Sequence, residues 1–380
     1  MSIYLDYQAT TPLDPAVREV MLPYLGDTFG NPHSEHRHGW TAAAGLDMAR
    51  RQVAELVGAA EDWTVFTSGA TEANNLALKG VLMAGRREGA LRNRLITVAT
   101  EHSCVLETAR WLNSQGFPVT ILPVDADGLI SFSDLDDALG DDVALVSVMA
   151  VNNEIGVIQP LAQIGERVRA AGALFHSDIA QGFGKMPIDV ERMNIDLLSL
   201  SAHKIYGPKG IGALLRRPGL SLEPQMHGGG QEGEGLRSGT LAPALIAGLG
   251  KAAEIAAARM SEDQERAERH WTMMLERLPK PFQVNGSREQ RWKGNLNVAF
   301  GAVDGSRLIA DLRRLSVSSG AACASRKGER SHVLEALGLS RSLMKASLRM
   351  GWGRFTTDDD IKLAADMIDK AVTAQRRMAA

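Results

Sequence analysis

Short apolar runs alternate with longer amphipathic segments over the first two thirds of the chain. The apolar runs predict strands at 63–67, 94–100, 119–124, 143–149, 173–178 and 195–200. Apolar positions at helical spacing predict helices at 15–25, 40–56, 76–83, 134–139 and 161–171. Strands that alternate with helices form a mostly parallel sheet, and such sheets bind ligands at the carboxyl ends of their strands.

The pattern changes near residue 242, where alanine, glutamate and arginine become frequent. Residues 242–279 predict helix, with a long exposed connector from Lys251 onward. Shorter strands (295–300, 315–318 and 347–351) and helices (306–314, 331–337 and 357–376) follow. We therefore predict an α/β protein whose large domain spans 14–256, with a smaller α+β domain formed by 1–13 and 257–380.

The composition is that of an ordinary globular enzyme. The 380 residues are 44% hydrophobic and carry a formal net charge of −3, which gives no general attraction to nucleic acid or to an anionic membrane. Because no apolar run reaches membrane-spanning length and the N-terminus is not a signal peptide, we expect a cytoplasmic protein. Two cysteines cannot form a disulfide framework or a zinc site by themselves, and His33, His36 and His38 lack the spacing of a compact metal motif. We therefore expect no metal.

One lysine directly follows a predicted strand. The apolar run 195–200 leads into Ser201-Ala202-His203-Lys204, and a turn with two glycines follows at 207–210. A partly desolvated lysine can lose its proton and form a Schiff base with an aldehyde. This stretch alone fits two interpretations equally well: a lysine that holds pyridoxal phosphate (PLP), and an ordinary surface lysine.

A carboxylate at the end of the preceding predicted strand favours the first interpretation. Asp178 ends the apolar segment 173–178, where a carboxylate is costly unless a cation meets it. The protonated ring nitrogen of PLP is such a cation. Asp178 and Lys204 lie 26 residues apart, which is enough for one crossover between neighbouring strands. We therefore expect them to reach one ring from adjacent strand ends.

Other predicted strand ends also carry polar groups. Ser68-Gly69-Ala70-Thr71 stands where backbone N–H groups and the Thr71 hydroxyl can converge on a phosphate, although an ordinary Ser-Gly turn before a capped helix has the same pattern. His102 can stack on a ring or transfer protons, or it can be a capping loop residue. The amides of Asn152 and Asn153 suit a polar ligand, whereas Cys104 is expected to be a small buried apolar residue.

The second cysteine has a different environment. Cys323 lies in the stretch 318–330, where its neighbours are small or charged. Three cations in this stretch, Arg326, Lys327 and Arg330, favour the thiolate form. The pattern indicates an exposed reactive thiol, and a tolerated surface cysteine is the alternative.

Together these stretches resemble the PLP-dependent cysteine desulfurases, the NifS/IscS-like group of the class V aminotransferases, which have PLP fold type I. The resemblance covers nearly the whole chain. It rests on several motifs in order: Tyr4-Leu5-Asp6 with Ala9-Thr10-Thr11, Thr67-Ser68-Gly69-Ala70-Thr71-Glu72, Glu101-His102, Val151-Asn152-Asn153-Glu154-Ile155-Gly156, His176-Ser177-Asp178 with Gln181, Ser201-Ala202-His203-Lys204, Gln225-Met226-His227-Gly228-Gly229-Gly230, Arg237-Ser238-Gly239-Thr240 and the Cys323 stretch.

The resemblance implies a role for each candidate residue. Lys204 would carry PLP as a Schiff base, Asp178 would pair with the ring nitrogen, and His102 would stack on the ring and handle protons. Gln181 and Asn153 would donate hydrogen bonds to the ring oxygen or the substrate, and Ala70 would also contact the cofactor. The phosphate would be bound by Thr71, Ser201, His203 and, from the partner subunit of a homodimer, Thr240. Arg349 would bind the substrate carboxylate in a bidentate manner.

The implied reaction converts L-cysteine to L-alanine. Lys204 would remove the α-proton, and the Cys323 thiolate would attack the substrate sulfur and become a persulfide for a sulfur-acceptor protein, such as an iron–sulfur scaffold. Selenocysteine lyase, another class V aminotransferase and a non-catalytic interaction protein are the alternatives on the same scaffold.

Two departures from the group leave the acceptor open. Residues 231–235 lack the arginine that relatives often have after the three glycines. The sequence also ends at Ala380, before the extension that relatives use to dock a scaffold.

Overall fold

The computed structural model describes residues 2–319 and 330–379. Its strands are β1 (Ile3–Tyr4), β2 (Thr64–Thr67), β3 (Arg94–Val98), β4 (Val119–Leu122), β5 (Val143–Ser147), β6 (Leu174–Asp178), β7 (Leu197–Ser201), β8 (Gly212–Arg216), β9 (Gln283–Val284), β10 (Asn295–Ala299), β11 (Leu315–Ser316), β12 (Ser318–Ser319) and β13 (Ser347–Gly351). Every predicted strand is present, although the one predicted at 315–318 is divided into β11 and β12, and β1, β8 and β9 are additional.

The helices are α1 (Pro15–Met21), α2 (Arg37–Glu55), α3 (Ala70–Arg87), α4 (Ser103–Ser114), α5 (Phe132–Ala138), α6 (Leu161–Ala170), α7 (Pro243–Arg277), α8 (Gly305–Asp311), α9 (His332–Ala336), α10 (Arg341–Lys345) and α11 (Asp358–Ala379). Every predicted helix is present, and α4 and α10 are additional. In the described ranges, no helix combines the length and apolar character that crossing a bilayer requires.

A large sheet has the strand order β2-β8-β7-β6-β5-β3-β4. Neighbours from β7 through to β4 are parallel, whereas β8 is antiparallel to both β7 and β2. The strands β2, β3, β5, β6 and β7 therefore all end at the same edge of the sheet. This confirms the predicted mostly parallel sheet, and β6 and β7 are direct neighbours, as the positions of Asp178 and Lys204 required.

Both faces of the large sheet are buried. Adjacent residues on one strand belong to different apolar clusters: Ile96 and Leu198 pack on one face, and Leu95 and Leu197 on the other. Side chains alternate across a strand, so such continuously apolar strands need cover on both sides. Helices α3 and α4 lie over one face, and α2, α6 and the first part of α7 lie over the other.

A further apolar cluster surrounds the antiparallel sheet β12-β13-β10-β9 and the parallel pair β1-β11. The end of α7, with Trp271 and Met274, and helix α11 cover it. Thr357, the first residue of the predicted helix 357–376, caps α11: its hydroxyl accepts from the Asp360 N–H at 3.1 Å. Helix α7 contributes to this cluster and to one cluster of the large sheet. The predicted domain boundary between 256 and 257 therefore falls inside a continuous helix and stays a prediction.

Two helix predictions need correction. The predicted helix 15–25 stops as α1 at Met21 and continues as a 3₁₀ turn over Leu22–Leu25, because Pro23 cannot donate to an α-helical ladder. The helix predicted at 76–83 already begins at Ala70, since its first turns are small polar residues without apolar periodicity.

Candidate active site

The carboxyl edge of the large sheet opens into a cavity of about 650 Å³. This volume lies within the range of small-molecule and cofactor sites. The cavity is lined by all the predicted site residues that the structure describes except Thr240: Ala70, Thr71, His102, Asn153, Asp178, Gln181, Ser201, His203, Lys204 and Arg349. Their roles stay predictions, but the structure places them around one space.

Lys204 follows β7 in a short 3₁₀ turn over Ala202–Lys204. Its Nζ donates to the backbone carbonyls of Gln8 at 2.5 Å and Ala9 at 2.9 Å. The N-terminal segment, which is distant in sequence, therefore binds this amine through its backbone carbonyls. The lysine is held at the cavity by carbonyl dipoles.

Asp178 ends β6 and is 5% exposed. Its Oδ2 accepts from Asn74 Nδ2 at 2.7 Å, and its Oδ1 accepts from the Ala180 N–H at 2.9 Å. These two neutral donors fix the direction of the carboxylate without neutralising its charge. The carboxylate can therefore attract a cationic ring nitrogen in the cavity.

His102 caps the start of α4. Its Nδ1 accepts from the Cys104 backbone N–H at 3.2 Å, so the neutral imidazole carries its proton on Nε2. Burial lowers the pKa of His102, the Asp178 carboxylate opposes this, and the charges of Lys204 and His332 add to the lowering. The ring is therefore neutral at pH 7, which favours stacking and exchange of a proton at Nε2.

Cys104 makes polar contacts at the cavity, whereas its sequence context predicted only a small buried apolar residue. Its Sγ lies 3.0 Å from His102 Nδ1 and accepts from Asn74 Nδ2 at 3.1 Å, and it lines the cavity. Burial raises the pKa of the Cys104 thiol to about 12, so this cysteine stays protonated and is a poor nucleophile.

The turn between β2 and α3 forms one end of the cavity. Gly69 stands at the N-cap of α3 with a φ of 151°, and no side chain caps this helix. At Gly212, a Cβ would meet Leu200 O at 2.3 Å and the Gly69 Cα at 2.7 Å, so glycine is required where β8 passes this turn. The positive end of the α3 dipole, together with the Thr71 and Ser201 hydroxyls, suits an anion here.

His203 completes this polar end. Its Nδ1 lies 3.1 Å from Thr10 Oγ1, and its carbonyl accepts from Thr11 Oγ1 at 3.0 Å. Burial lowers the pKa of His203 to about 4, and the nearby lysines, first among them Lys204, add to the lowering. In this state the imidazole is a neutral hydrogen-bonding group.

Arg349 lies on β13, which belongs to the smaller antiparallel sheet, and is 2% exposed. Its Nη2 donates to Asp6 Oδ1 at 2.8 Å, and its Nη1 donates to the Asn153 carbonyl at 3.1 Å. Within the described residues its Nε has no hydrogen-bond partner. A buried guanidinium with one carboxylate and unused donor capacity can accept a second carboxylate from a ligand.

Two predicted site residues need separate mention. Thr240 is exposed and does not line the cavity of its own chain. Cys323 lies outside the described residues. In the ranges 2–319 and 330–379, no group of three His, Cys, Asp or Glu side chains could hold a metal ion.

The sequence motifs missed the residues that hold the site residues in place. Asn74, Asp6 and Gln8 bond to Asp178, Arg349 and Lys204, respectively. All three stand inside or beside the motifs quoted above, but only tertiary structure shows which group each one holds.

Comparison with known proteins gives consistent matches over the full chain. The family model described as aminotransferase class-V matches residues 3–363. The chain is 49% identical to the cysteine desulfurase IscS of Rickettsia akari (strain Hartford) over 385 aligned positions, which cover 100% of this chain and 93% of that protein. For the cysteine desulfurase IscS of Rickettsia bellii (strain OSU 85-389), the identity is 49% over 382 positions, covering 99% and 92%.

Solved structures agree with these matches. A NifS-like protein superimposes with a TM-score of 0.92 at 33% identity, covering 98% of this chain and 100% of the other. A structure of SspA in complex with cysteine superimposes with a TM-score of 0.83 at 37% identity, covering 94% and 100%.

Proposed function

Since the chain belongs to the class V aminotransferase family and is a member of its cysteine desulfurase group, we propose that it binds PLP and transfers sulfur from L-cysteine to Cys323. The group is the one that the sequence motifs resemble. The net reaction converts L-cysteine and the Cys323 thiol into L-alanine and a Cys323 persulfide. It is balanced without an external oxidant or reductant.

One observation carries this proposal: an amine, a buried carboxylate and a buried guanidinium line the same cavity. Lys204, Asp178 and Arg349 supply these groups from β7, β6 and β13. An amino-acid substrate needs a cation for its carboxylate, and a Schiff-base cofactor needs an amine and a partner for its ring nitrogen.

The chemistry of the donor set fits PLP. The Lys204 amine suits the aldehyde, and Asp178, directed by two neutral donors, suits the pyridinium nitrogen. The uncapped N-terminus of α3 with the Thr71 and Ser201 hydroxyls suits the phosphate. When bound, PLP supplies the electron sink that makes the α-proton of an amino acid acidic.

The protein's own residues then have defined tasks. Arg349 orients the substrate by its carboxylate, while Asp6 keeps the guanidinium in place. Lys204 takes the α-proton, and His102 exchanges a proton at Nε2. The Cys323 thiolate forms a bond to the substrate sulfur as the carbon–sulfur bond breaks, and protonation of the carbon skeleton completes alanine.

Substitution of the nucleophile tests the activity. Cys323→Ala should release no sulfide or alanine from L-cysteine under reducing conditions, yet should keep the visible absorption of bound PLP. Lys204→Ala is the matched variant that should lose this absorption. Sulfide release that persists in Cys323→Ala would show that another group accepts the sulfur. Selective turnover of selenocysteine by the wild type would favour a selenocysteine lyase.

The proposal includes partners. The protein would act as a homodimer in which Thr240 reaches the phosphate site of the partner subunit, consistent with its exposure and its distance from its own cavity. The persulfide would be delivered to an acceptor protein, for which an iron–sulfur scaffold is one candidate. A cytoplasmic location would keep the thiols reduced.

A further inference from the structure

A lysine lies just behind the cavity, in the turn that follows β6. The Lys185 N–H donates to the Gly182 carbonyl at 3.0 Å, and its own carbonyl accepts from Gln264 Nε2 of α7 at 2.9 Å. Its side chain does not line the large cavity but a smaller separate one, together with Tyr7 and Arg354. The backbone of this lysine is therefore fixed, while its amine lies outside the large cavity.

The amine of Lys185 contacts a residue that does line the large cavity. Lys185 Nζ donates to Gln181 Oε1 at 3.0 Å, and Gln181 Nε2 donates to the Gln8 carbonyl at 2.9 Å. The Gln8 carbonyl oxygen can only accept, and the Lys185 amine has N–H groups to donate whether or not it is protonated. These two partners therefore determine which end of the Gln181 carboxamide is oxygen and which is nitrogen.

This orientation decides what Gln181 offers to a ligand. The amide oxygen is turned to Lys185, on the side of the small cavity. Nε2 has a second N–H, which no contact among the described residues uses. Gln181 therefore presents a hydrogen-bond donor to the large cavity.

We propose that Lys185 is a positioning residue that keeps Gln181 a donor toward the ring oxygen of the bound cofactor. The proposal rests on the proposed function, because it needs PLP in the large cavity. Without Lys185 the carboxamide can rotate, and its oxygen would then face the negative ring oxygen. Lys185 itself touches neither cofactor nor substrate.

The cost of burying this lysine supports a role beyond packing. Burial, with the charge of Lys204 adding to it, lowers the pKa of Lys185 to about 7. The carboxylate that shares its small cavity, Asp263, is bound by Arg354 Nε and Nη2 at 3.1 and 2.9 Å. Methionine has nearly the same shape without this penalty, so an ammonium group here is unfavourable for folding alone.

The test is a double-mutant cycle on the PLP-bound protein. Lys185→Met, Gln181→Met and the double variant are titrated with pH, and the visible absorption band gives the apparent pKa of the chromophore. Loss of a donor leaves more negative charge on the ring oxygen, which holds the neighbouring proton on Lys204 Nζ more tightly. Each single variant should therefore raise this apparent pKa by about one unit.

The double variant separates positioning from charge. If Lys185 acts through Gln181, the double variant should match Gln181→Met, with no additional shift. Lys185→Arg, which keeps a donor, should remain near the wild-type value. If Lys185→Met does not fold, Lys185→Leu is the second variant, with the same expected shift.

Two results would overturn the proposal. An unchanged apparent pKa in Lys185→Met would show that Gln181 keeps its orientation alone. If Lys185→Met raises the apparent pKa by the same amount in the Gln181→Met variant as in the wild type, only the charge of Lys185 matters. A wild-type protein that develops no absorption band with PLP would instead refute the proposed function, and this inference with it.

Discussion

Several charged groups of the site are held by neighbours that are distant in sequence. Asn74 lies 104 residues before Asp178, and Asp6 lies 343 residues before Arg349. The spacing of strand ends could predict Asp178 and Lys204, because parallel strands end at one edge. It could not predict these supporting contacts, because they depend on how helix α3 and the N-terminal segment pack on that edge.

The buried amine of Lys185 should make stability depend on pH. Its pKa is lowered from 10.5 to about 7 in the folded state. Below pH 7 both the folded and unfolded states hold the proton, so the burial penalty is felt in full. Between these two values only the unfolded state holds it, and the free energy of unfolding therefore rises with pH.

Comparison with Lys185→Met isolates this effect. Relative to the variant, the wild-type free energy of unfolding should increase from pH 7 to pH 10, by at most about 1.4 kcal/mol per pH unit. Denaturant unfolding at several pH values measures it. Lys370→Met, on the exposed face of α11, is the control and should run parallel to the wild type. Parallel curves for Lys185→Met would mean that Lys185 is not desolvated.

At the scale of elements, the segment that departs from the desulfurase pattern is firmly attached to the large sheet. Glu232 is 3% exposed, accepts from Arg50 Nη1 at 2.7 Å and Nη2 at 3.1 Å, and also accepts from the Phe66 N–H at 2.9 Å. Five residues later, Arg237 Nε donates to Glu72 Oε1 at 3.0 Å. The segment is thereby fixed to β2 and to the first turn of α3.

Removal of this buried carboxylate should destabilise the protein. Glu232→Ala leaves Arg50 and the Phe66 N–H without their partner, so we expect a loss of about 3 kcal/mol in the free energy of unfolding. Glu234→Ala is the matched control in the same segment. Its side chain is 92% exposed and lies 3.6 Å from Arg216, so its loss should stay below about 0.5 kcal/mol. Equal losses would contradict the anchoring role.

The presence of most helices and strands could be predicted from the sequence better than their first and last residues. Apolar runs revealed the strands that are buried on both faces, but β8, Gly212–Arg216, was missed because it follows a glycine-rich turn and itself begins with glycine and ends with arginine. The connection from β6 to β7 consists of turns without a helix, which apolar periodicity could not reveal. Helix α3 was predicted too short because its small polar start serves the site.

At the scale of the whole molecule, the cavity is lined by residues of both the large sheet and the smaller antiparallel sheet. Asp178 and Lys204 come from the large sheet, whereas Arg349 comes from β13 in the smaller one. The order of elements suggested two units, but only the packed structure shows that the first residues of the chain return to line the cavity.

The proposed dimer can be tested by exchanging subunits. Thr240→Val should weaken PLP binding about tenfold, since a hydrogen bond to a charged phosphate is lost, whereas Thr240→Ser should not. A hybrid dimer is then made of one Thr240→Val subunit and one Lys204→Ala subunit. The site that retains Lys204 receives Thr240 from the Lys204→Ala partner, so it should bind PLP with wild-type affinity. Equilibrium titration of the purified hybrid measures this. Weak binding at that site would place Thr240 in its own subunit's cavity.

The central claim is that Cys323 receives the sulfur of L-cysteine, and peptide mass spectrometry tests it most directly. The PLP-bound protein is incubated with L-cysteine, digested without reductant, and searched for peptides that carry one added sulfur atom. The account predicts this addition on the Cys323 peptide, no addition on the Cys104 peptide and no addition in Lys204→Ala. Added sulfur on Cys104, whose pKa is raised to about 12, would contradict the claim. The formation of alanine without added sulfur on either cysteine would contradict it as well.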